Sequence, residues 1–378
     1  LASLLLQDSA RIQESHARSE NKWRRRRGLP LEEPLYTVKD VPKALNLFNA
    51  LPYGRWIWVD DDVELLFLDA GHMLGSASVN LRIREGEKTH TVGFTGDIGR
   101  PDSLILRDPV PMPPCEYLIS ESTYGGKDHE TLQDAKEELL KIVQEACVRK
   151  KGKLIIPAFS VGRTQVIVHT LDQLESEGRL PRIPVYVDSP LAVNATDVFQ
   201  MHPECYDDDL LEYITYDKNP FGFRNLQYVR KVEDSKKLNE KKGPFIVISA
   251  SGMMTAGRIL HHLRNSISSE RNTILVVGYC AKNTLGSRIV NGHKEVKIFG
   301  EKYKVKANVV RMNSYSGHAG QTELSDFIKA SQDPDKIKQI FLVHGEGDRA
   351  DRFAEHLKGC GYKDVIVPMR GESILVEA

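Results

Sequence analysis

The stretch from residue 69 to residue 100 constrains this chain more than any other. It reads Asp-Ala-Gly-His-Met-Leu-Gly-Ser and, further on, Phe-Thr-Gly-Asp-Ile-Gly-Arg. His72 and Asp97 each follow a strand-like run and lie beside glycines, which let the backbone turn sharply enough for a side chain to point into a pocket. An imidazole with a carboxylate is a ligand pair for a hydrolytic divalent metal, most often zinc. The stretch therefore predicts a metal site.

The composition sets the broad class of protein. The chain has 378 residues, of which 40% are hydrophobic and 28% are charged, and this is ordinary for a soluble protein with room for two domains. The 52 basic residues balance 52 acidic residues. Overall charge therefore gives no argument for a nucleic-acid partner, and any such binding must use a local patch.

Cysteines and hydropathy indicate the compartment. The five cysteines are scattered and form no Cys-x-x-Cys pair, which argues against a disulfide scaffold and against a cysteine zinc site. We therefore predict a reducing, cytoplasmic location. No apolar run reaches the roughly 20 residues that span a bilayer, so no membrane partner is predicted. The opening residues 1–12 read as an amphipathic helix already under way, and we expect the sequence to be a fragment of a longer protein.

The first third of the chain is predicted to be rich in strands. A helix over residues 1–19 leads into the basic run at 22–27, which is either a solvated loop or an edge that contacts phosphates. A second helical pattern covers residues 38–51. The strand patterns that follow are separated by polar turns, which predicts antiparallel pairs; they cover residues 63–68, 77–83 and 91–95. Another strand is predicted at 115–120.

From about residue 130 helices and strands alternate, and this predicts parallel βαβ units. The predicted helices cover residues 130–149, 162–177, a stretch from 191, 256–265, 321–330 and 350–358. The predicted strands cover residues 154–157, 185–187, 245–249, 273–278, 296–299, 303–310 and 339–343, and a last hairpin closes the chain. The two ends are expected to form one domain with the middle inserted.

Five polar residues stand at the ends of predicted strands, where sites gather in α/β proteins. Taken singly, a histidine in such a place is more often a structural residue, and an aspartate between glycines is more often a turn residue. Their recurrence in glycine-containing turns favours a common site. The five are His72, Asp97, Glu121, His318 and His344.

Five motifs in order make the chain resemble a ribonuclease of the metallo-β-lactamase superfamily, in its β-CASP branch of RNA-processing nucleases. Residues 70–76 (Ala-Gly-His-Met-Leu-Gly-Ser) resemble the third metal motif of the superfamily, and residues 95–100 (Thr-Gly-Asp-Ile-Gly-Arg) resemble the fourth. Glu121 in Ser-Glu-Ser-Thr-Tyr-Gly matches the first special motif of the branch. The second and third are matched by Ser-Gly-His-Ala-Gly at 316–320 and by Val-His-Gly-Glu at 343–346.

The resemblance implies an α/β fold, in which an αββα metallo-β-lactamase sandwich, incomplete at its N-terminal side, carries an inserted parallel-sheet β-CASP domain that caps the cleft. The implied bounds are 1–125 and 313–378 for the two parts of the sandwich and 126–312 for the insert. A homodimer is also implied.

The resemblance further implies a role for each of the five residues. His72 would bind one zinc, Asp97 would bridge two zincs, and His344 would bind the second. His318 would protonate the leaving oxygen as general acid, and Glu121 would orient His318. Two zincs would clamp an in-line displacement at phosphorus.

One part of the expected ligand set is missing from the sequence. The signature His-x-His-x-Asp-His of the superfamily occurs nowhere in the 378 residues. A zinc held by His72, Asp97 and His344 alone would be weak. We therefore expect impaired catalysis from this chain, and a non-catalytic RNA-binding or scaffold subunit of a processing complex is the alternative function.

The middle of the chain predicts contacts to a nucleic-acid backbone. Three segments, at 159–163, 188–190 and 249–253, each end a strand and precede a helix, and backbone N–H groups with small hydroxyl residues in such places suit a phosphate. Each segment alone is also merely a good turn. The predicted substrate-binding residues are Ser160, Gly162, Arg163, Ser189, Ser251, Gly252 and Arg258.

The predicted substrate is single-stranded RNA, cut to leave a 5′-phosphate and a 3′-hydroxyl by endonuclease or 5′-exonuclease action. A DNA nuclease of the same branch is a second alternative. His344 favours RNA, because the members that act on DNA tend to have an aliphatic residue at that place. His129 is expected to be structural.

Overall fold

The computed structural model describes residues 1–129 and 132–376. Its helices are α1 (Ala2–Arg26), α2 (Val41–Leu45), α3 (Leu132–Val143), α4 (Arg163–Ser176), α5 (Pro190–Gln200), α6 (Asp208–Tyr216), α7 (Val232–Glu240), α8 (Ile259–Ser266), α9 (Leu285–Val290), α10 (Gln321–Ser331) and α11 (Arg349–Gly359). Its strands are β1 (Ile57–Asp60), β2 (Val63–Asp69), β3 (Ala77–Glu85), β4 (Lys88–Phe94), β5 (Tyr117–Glu121), β6 (Lys153–Pro157), β7 (Val185–Val187), β8 (Leu226–Tyr228), β9 (Phe245–Ser249), β10 (Thr273–Val276), β11 (Glu295–Ile298), β12 (Glu301–Lys304), β13 (Asn308–Arg311), β14 (Gln339–Val343) and β15 (Val365–Ile366).

The described chain divides into two compact units, each made of separate stretches. Unit 1 comprises Leu1–Ala50, Glu138–His202 and Asn219–Met312. Unit 2 comprises Leu51–Glu137, Pro203–Lys218 and Asn313–Ala378. The first 50 residues thus belong with the middle of the chain, and a short stretch of the middle belongs with the ends.

Unit 2 is built on a seven-stranded sheet in the order β1-β2-β3-β4-β5-β14-β15. The first four strands form an antiparallel meander, in which the pairing of β2, β3 and β4 is as predicted and β1 is an additional edge strand. From β4 onward the neighbouring strands are parallel, so β14 joins the sheet beside β5 from far along the chain. Its core packs Leu118, Ile340 and Leu342 of the sheet against Leu324 of α10 and Phe353 of α11.

Unit 1 contains a parallel six-stranded sheet in the order β13-β10-β6-β9-β7-β8. Apart from Lys153 at the start of β6, its central strands are buried along their whole length, and this explains why they read as short continuous apolar runs rather than as alternating patterns. Helix α8 contributes Ile259 and Leu263 to the core beneath this sheet. The predicted parallel βαβ middle is confirmed, and so is the mixed α/β class.

Two expectations in the first part of the chain are corrected. Helix α1 continues to Arg26, beyond the predicted end at residue 19, because cations in a last turn interact favourably with the free carbonyls there. Helix α2 ends at Leu45 instead of residue 51. Leu47 and Phe48 beyond it are exposed, so the apolar spacing that predicted a longer helix has no surface to pack on.

Further corrections concern the middle and the end. The stretch between α5 and β9, for which no helix or strand is predicted above, contains α6, β8 and α7. The predicted strand at 303–310 is two strands, β12 and β13. The closing segment forms β15, which runs parallel to β14 rather than forming a hairpin. The predicted helix at 130–149 becomes α3 and a π-helical turn at Gln144–Arg149, with Glu130 and Thr131 outside the described residues.

Two further observations concern the helices and the cysteines. Across the described residues, none of the helices combines the length and the apolar character that crossing a membrane requires. The five cysteines are free thiols.

Candidate active site

Sheet topology brings four strand ends of unit 2 to one edge. Because β2 and β4 both run antiparallel to β3, they point the same way. Strands β5 and β14 run parallel to β4. The carboxyl ends of all four strands therefore meet, and they carry four of the five predicted residues: His72 after β2, Asp97 after β4, Glu121 at the end of β5 and His344 after β14.

Glycines allow the first two turns to approach each other closely. Gly99 N–H donates to the carbonyl of Ala70 over 2.8 Å. A Cβ on Gly99 would lie 2.1 Å from the carbonyl oxygen of Gly71, a distance that no side chain tolerates. Gly71 itself has φ 64°, the left-handed region that glycine adopts without strain. The turns that carry His72 and Asp97 are thus held together by backbone contact.

The loop before α10 brings His318 to the same edge. Gly99 and His318 form an isolated antiparallel bridge, and Ala319 N–H donates to the carbonyl of Ile98 over 2.9 Å. The rings of His72 and His318 lie 4.3 Å apart, centroid to centroid. All five predicted residues are therefore brought together.

The contact of His72 fixes its tautomer. Its Nδ1 lies 2.9 Å from the carbonyl oxygen of Gly317. Since a carbonyl only accepts, Nδ1 carries the proton and Nε2 presents the lone pair that a metal needs. Burial and the neighbouring His318 lower the pKa of His72, which favours the neutral, metal-binding form.

Glu121 and His318 form a second pair. His318 Nδ1 lies 3.2 Å from Oε2 of Glu121, and Oε1 of Glu121 accepts from Ile98 N–H over 2.5 Å. The carboxylate is 1% exposed. Burial raises the pKa of Glu121, yet the hydrogen bond and charge of His318 outweigh it, so the pKa lies below its usual value.

Asp97 stands at the centre of two overlapping groups of metal-ligating atoms. One group is Asp97 with His72 and His318, and the other is Asp97 with Glu121 and His344. His344 Nδ1 lies 2.9 Å from Oδ1 of Asp97. Imidazole and carboxylate donors fit a hydrolytic divalent metal. Asp97 is the residue that the two groups share.

Arg100 and Glu323 are two residues of this site that the sequence reasoning missed. Arg100 is 7% exposed. Its Nε lies 3.1 Å from Oε1 of Glu323, and its Nη1 donates to the carbonyl of Ser314 over 2.9 Å. Arg100 therefore ties the turn of Asp97 to the loop of His318. The available signal was local: Glu323 stands three residues after Gly320, where a glutamate caps a helix start, and it accepts from Gly320 N–H over 2.7 Å.

His129 lies next to this loop, in contact with the ring of Tyr124 at 4.3 Å between centroids. Burial, together with the charge of Arg100, lowers the pKa of His129 to about 4. A neutral, half-buried ring suits the structural role expected of it.

The predicted substrate residues lie in unit 1, at the carboxyl ends of the neighbouring strands β6, β9 and β7. Ser160 and Ser189 approach to 3.3 Å between their hydroxyl oxygens. A Cβ on Gly252 would lie 3.0 Å from the ring of Phe159. The three predicted segments are thus neighbours. Gly162 is the N-cap of α4 and Arg163 its first residue.

Several of these groups already have partners within unit 1. The Ser189 hydroxyl caps α5 by accepting from Ala192 N–H over 3.3 Å. The Ser251 hydroxyl accepts from Thr255 N–H over 3.0 Å within its own turn, and α8 starts at Ile259, later than expected.

Arg258 is part of a buried network around Asp188. Its Nη1 lies 2.6 Å from Oδ1 of Asp188, and it also donates to the carbonyls of Val229 and Arg230. Asp188 Oδ2 accepts from Ser235 over 2.6 Å and lies 2.7 Å from Nε2 of His262. Burial raises the pKa of Asp188, but hydrogen bonds from His262, Ser235 and Arg258 bring it below the usual value. The side chain of Arg258 is largely engaged in holding this strand end, and its contact to phosphate stays a prediction.

Two family models match the chain. Residues 164–289 match the Beta-Casp domain. Residues 302–368 match the Zn-dependent metallo-hydrolase RNA specificity domain, and this segment includes His318 and His344.

Similar proteins agree with these matches. The chain is 34% identical over 319 residues to Ribonuclease TTHA0252 of Thermus thermophilus, covering 84% of this chain and 71% of the relative. It is 32% identical over 356 residues to the Transcription termination factor FttA of Methanocaldococcus jannaschii, covering 92% of this chain and 55% of the relative. The FttA of Methanothermobacter thermautotrophicus is 32% identical over 359 residues, with the same coverage. The chain thus spans about half the length of these FttA proteins. Together with the strand-end cluster around Asp97, these matches show that the chain belongs to the β-CASP ribonuclease branch of the metallo-β-lactamase superfamily.

Proposed function

We propose that this protein hydrolyses phosphodiester bonds of single-stranded RNA, with zinc held around Asp97. The observation that carries the proposal is the position of Asp97 in two overlapping donor groups, next to a histidine that a buried glutamate orients. The matched domain is named for zinc-dependent hydrolysis and RNA specificity, and one relative is named a ribonuclease. These names support the choice of zinc and of RNA.

Each side chain has a role that its contacts support. His72 presents Nε2 because Nδ1 is bonded to Gly317, and Asp97 and His344 offer the other donor atoms. Zinc, when bound, neutralises phosphate charge and supplies a water acidic enough to attack near neutral pH. His318 is placed to give a proton to the leaving oxygen, and Glu121 keeps the ring in place.

The unit 1 segments supply the support for a polynucleotide substrate. Ser160, Ser189 and Ser251 lie at adjacent strand ends, and parallel strand ends are where phosphate groups bind in α/β folds. RNA as the substrate rests on the matched domain and on His344. A homodimer is a further prediction, which the mass of the protein in solution by light scattering tests.

The test is the variant His344→Ala. Zinc content, measured by mass spectrometry of the dialysed protein, should fall because one of the donors beside Asp97 is removed. Cleavage of a single-stranded RNA by the longest natural polypeptide that contains this chain should be abolished. The matched control is His293→Ala, since His293 is exposed and lies in unit 1. Unchanged zinc and cleavage in His344→Ala would refute the proposal. RNA binding without cleavage by the longest natural polypeptide would favour the scaffold alternative.

A further inference from the structure

The C-terminal end of α1 carries the densest run of positive charge in the chain. Residues 22–27 read Lys-Trp-Arg-Arg-Arg-Arg. We call Lys22, Trp23, Arg25, Arg26 and Arg27 the basic tip. Arg24 is left out because its side chain pairs with the carboxylates of Glu20 and Glu32. The basic tip belongs to unit 1 and is not among the residues assigned to hydrolysis above.

Asn21 and Arg24 fix the backbone next to the basic tip. The side chain of Asn21 donates to the carbonyl of Glu32 over 2.8 Å and accepts from Glu32 N–H over 2.8 Å. Arg24 donates to the carbonyl of Pro30 over 3.2 Å and pairs with the carboxylates of Glu20 and Glu32. The chain after α1 is therefore folded back against the helix. The tip is an ordered surface on a helix end, not a loose tail.

The remaining cations point to solvent. Lys22, Arg25, Arg26 and Arg27 are exposed. Among the described residues, the ion pairs of this region all belong to Arg24, and none joins a carboxylate to a cation of the tip. Lys22 and Arg26 are four residues apart on a helix, where like charges repel and weaken the helix. Helix carbonyls compensate for cations in the last turn, but Lys22 lies a turn earlier.

Trp23 adds an aromatic surface to the same tip. Its side chain is 44% exposed, and the guanidinium of Arg27 lies 4.0 Å from the ring centroid. The guanidinium stacked on the indole gives the tip a charged group and a flat apolar ring in contact with each other. Unpaired bases stack on such rings while the neighbouring phosphates meet the cations.

We propose that the basic tip is a contact site for single-stranded RNA, separate from the hydrolytic site. The inference rests on the proposed function, because it takes RNA as the substrate. The charge of the tip complements the phosphate backbone, and Trp23 selects unpaired over paired strands. The site adds affinity without reading sequence, since phosphate contacts carry no sequence information.

The test is binding of a fluorescent mixed-sequence single-stranded RNA to the 378-residue chain, measured by anisotropy over a range of salt concentrations. The triple variant Arg25→Gln, Arg26→Gln, Arg27→Gln should bind about tenfold more weakly, and its log–log salt slope should be shallower by about two, because three phosphate contacts on a single strand are lost. Trp23→Ala should weaken binding to the single strand and leave binding to a duplex of the same sequence unchanged. Trp23→Phe should restore most of the loss.

The matched control removes equal charge elsewhere in unit 1: Lys236→Gln, Lys241→Gln, Lys242→Gln. All variants are first compared by circular dichroism and thermal unfolding. If the wild-type chain binds no RNA, the proposed function fails with the inference. If it binds but the tip and control variants are equally affected, the basic tip is refuted and the proposed function stands. If the tip variant loses poly-glutamate binding as strongly as RNA binding, the tip is a general polyanion surface and the inference is overturned.

Discussion

At the scale of single residues, the pair of His318 and Glu121 is placed for two different roles, metal binding and proton donation. Glu121 is buried and accepts hydrogen bonds from both His318 and Ile98. Each member of the pair also stands in one of the donor groups around Asp97. A ligand must be present for metal to bind, whereas an acid and its partner are needed only for the reaction. Variants can therefore separate the two roles.

His318→Ala should lower the cleavage rate by about a hundredfold or more, because a positioned proton donor contributes roughly that much. Zinc content should stay at the wild-type level. Glu121→Gln keeps an acceptor for Ile98 N–H but removes the charge, and should lower kcat with little change in KM. Loss of zinc from either variant would make that residue a metal ligand and contradict the proton-donor assignment.

Gly99 tests how closely the two metal-binding turns must approach. Gly99→Ala should reduce zinc affinity and destabilise the protein by about 2 kcal/mol, since overpacking against backbone forces the turns apart. The control is Gly359→Ala at the end of α11, where an added Cβ has no atom within 4 Å. Chemical denaturation and zinc titration measure both effects. Equal behaviour of the two variants would show that the contact with Gly71 is not needed.

At the scale of elements, the end of β7 depends on a buried charge network. Asp188→Asn should destabilise the protein by about 3 kcal/mol, because Arg258 loses its buried carboxylate partner. Asp197→Asn is the control: that carboxylate pairs with Arg230 on the surface at 2.6 Å and should cost under about 1 kcal/mol.

The same network gives a dependence on pH with a definite sign. The pKa of folded Asp188 lies below its ordinary value of 3.8. Its contribution is therefore fully present above that ordinary value and is lost as the pH falls through the lower, folded value. The free energy of unfolding of the wild type should fall over this acid range, and Asp188→Asn should show a flatter profile of stability against pH. Parallel profiles would exclude Asp188 as the source.

Elements differed in how well the sequence predicted them, and burial explains the difference. Strands β7 and β9 were predicted to the residue, since a fully buried strand is a short apolar run between polar turns. Strand β1 was missed because it is an edge strand with mostly exposed side chains and ends in acidic residues. Helix α7 was missed because Val232 and Leu238 are its only apolar residues.

The site was predictable for a different reason. Each of His72, Asp97, Glu121, His318 and His344 sits in a local turn signal, and the family resemblance joins the five. The link between Arg100 and Glu323 has no such signal, because the partners are 223 positions apart. Only the folded structure shows that the buried Arg100 lies next to the carboxylate of Glu323.

At the scale of the whole molecule, zinc should act on one unit only. The candidate ligands belong to unit 2, so zinc should slow hydrogen exchange at the ends of β4, β5 and β14 and leave β6, β7 and β9 unchanged. At a free zinc concentration about 100 times Kd the stabilisation reaches about 2.7 kcal/mol. The affinity for zinc should be low, because His72, Asp97 and His344 alone make an incomplete set of ligands. Protection in unit 1 instead would place the metal elsewhere.

The position of β14 beside β5 has a consequence for synthesis. The carboxyl end of β14 carries His344, while the other strand ends of the site lie before residue 122. A ribosome must therefore add more than half of the polypeptide after Glu121 before the pairing can close. During that time the nascent chain holds Asp97 and Glu121 without His318 or His344. The protein thus cannot assemble the cluster around Asp97 until translation has passed β14, and a truncated product that ends before residue 318 lacks His318 and His344.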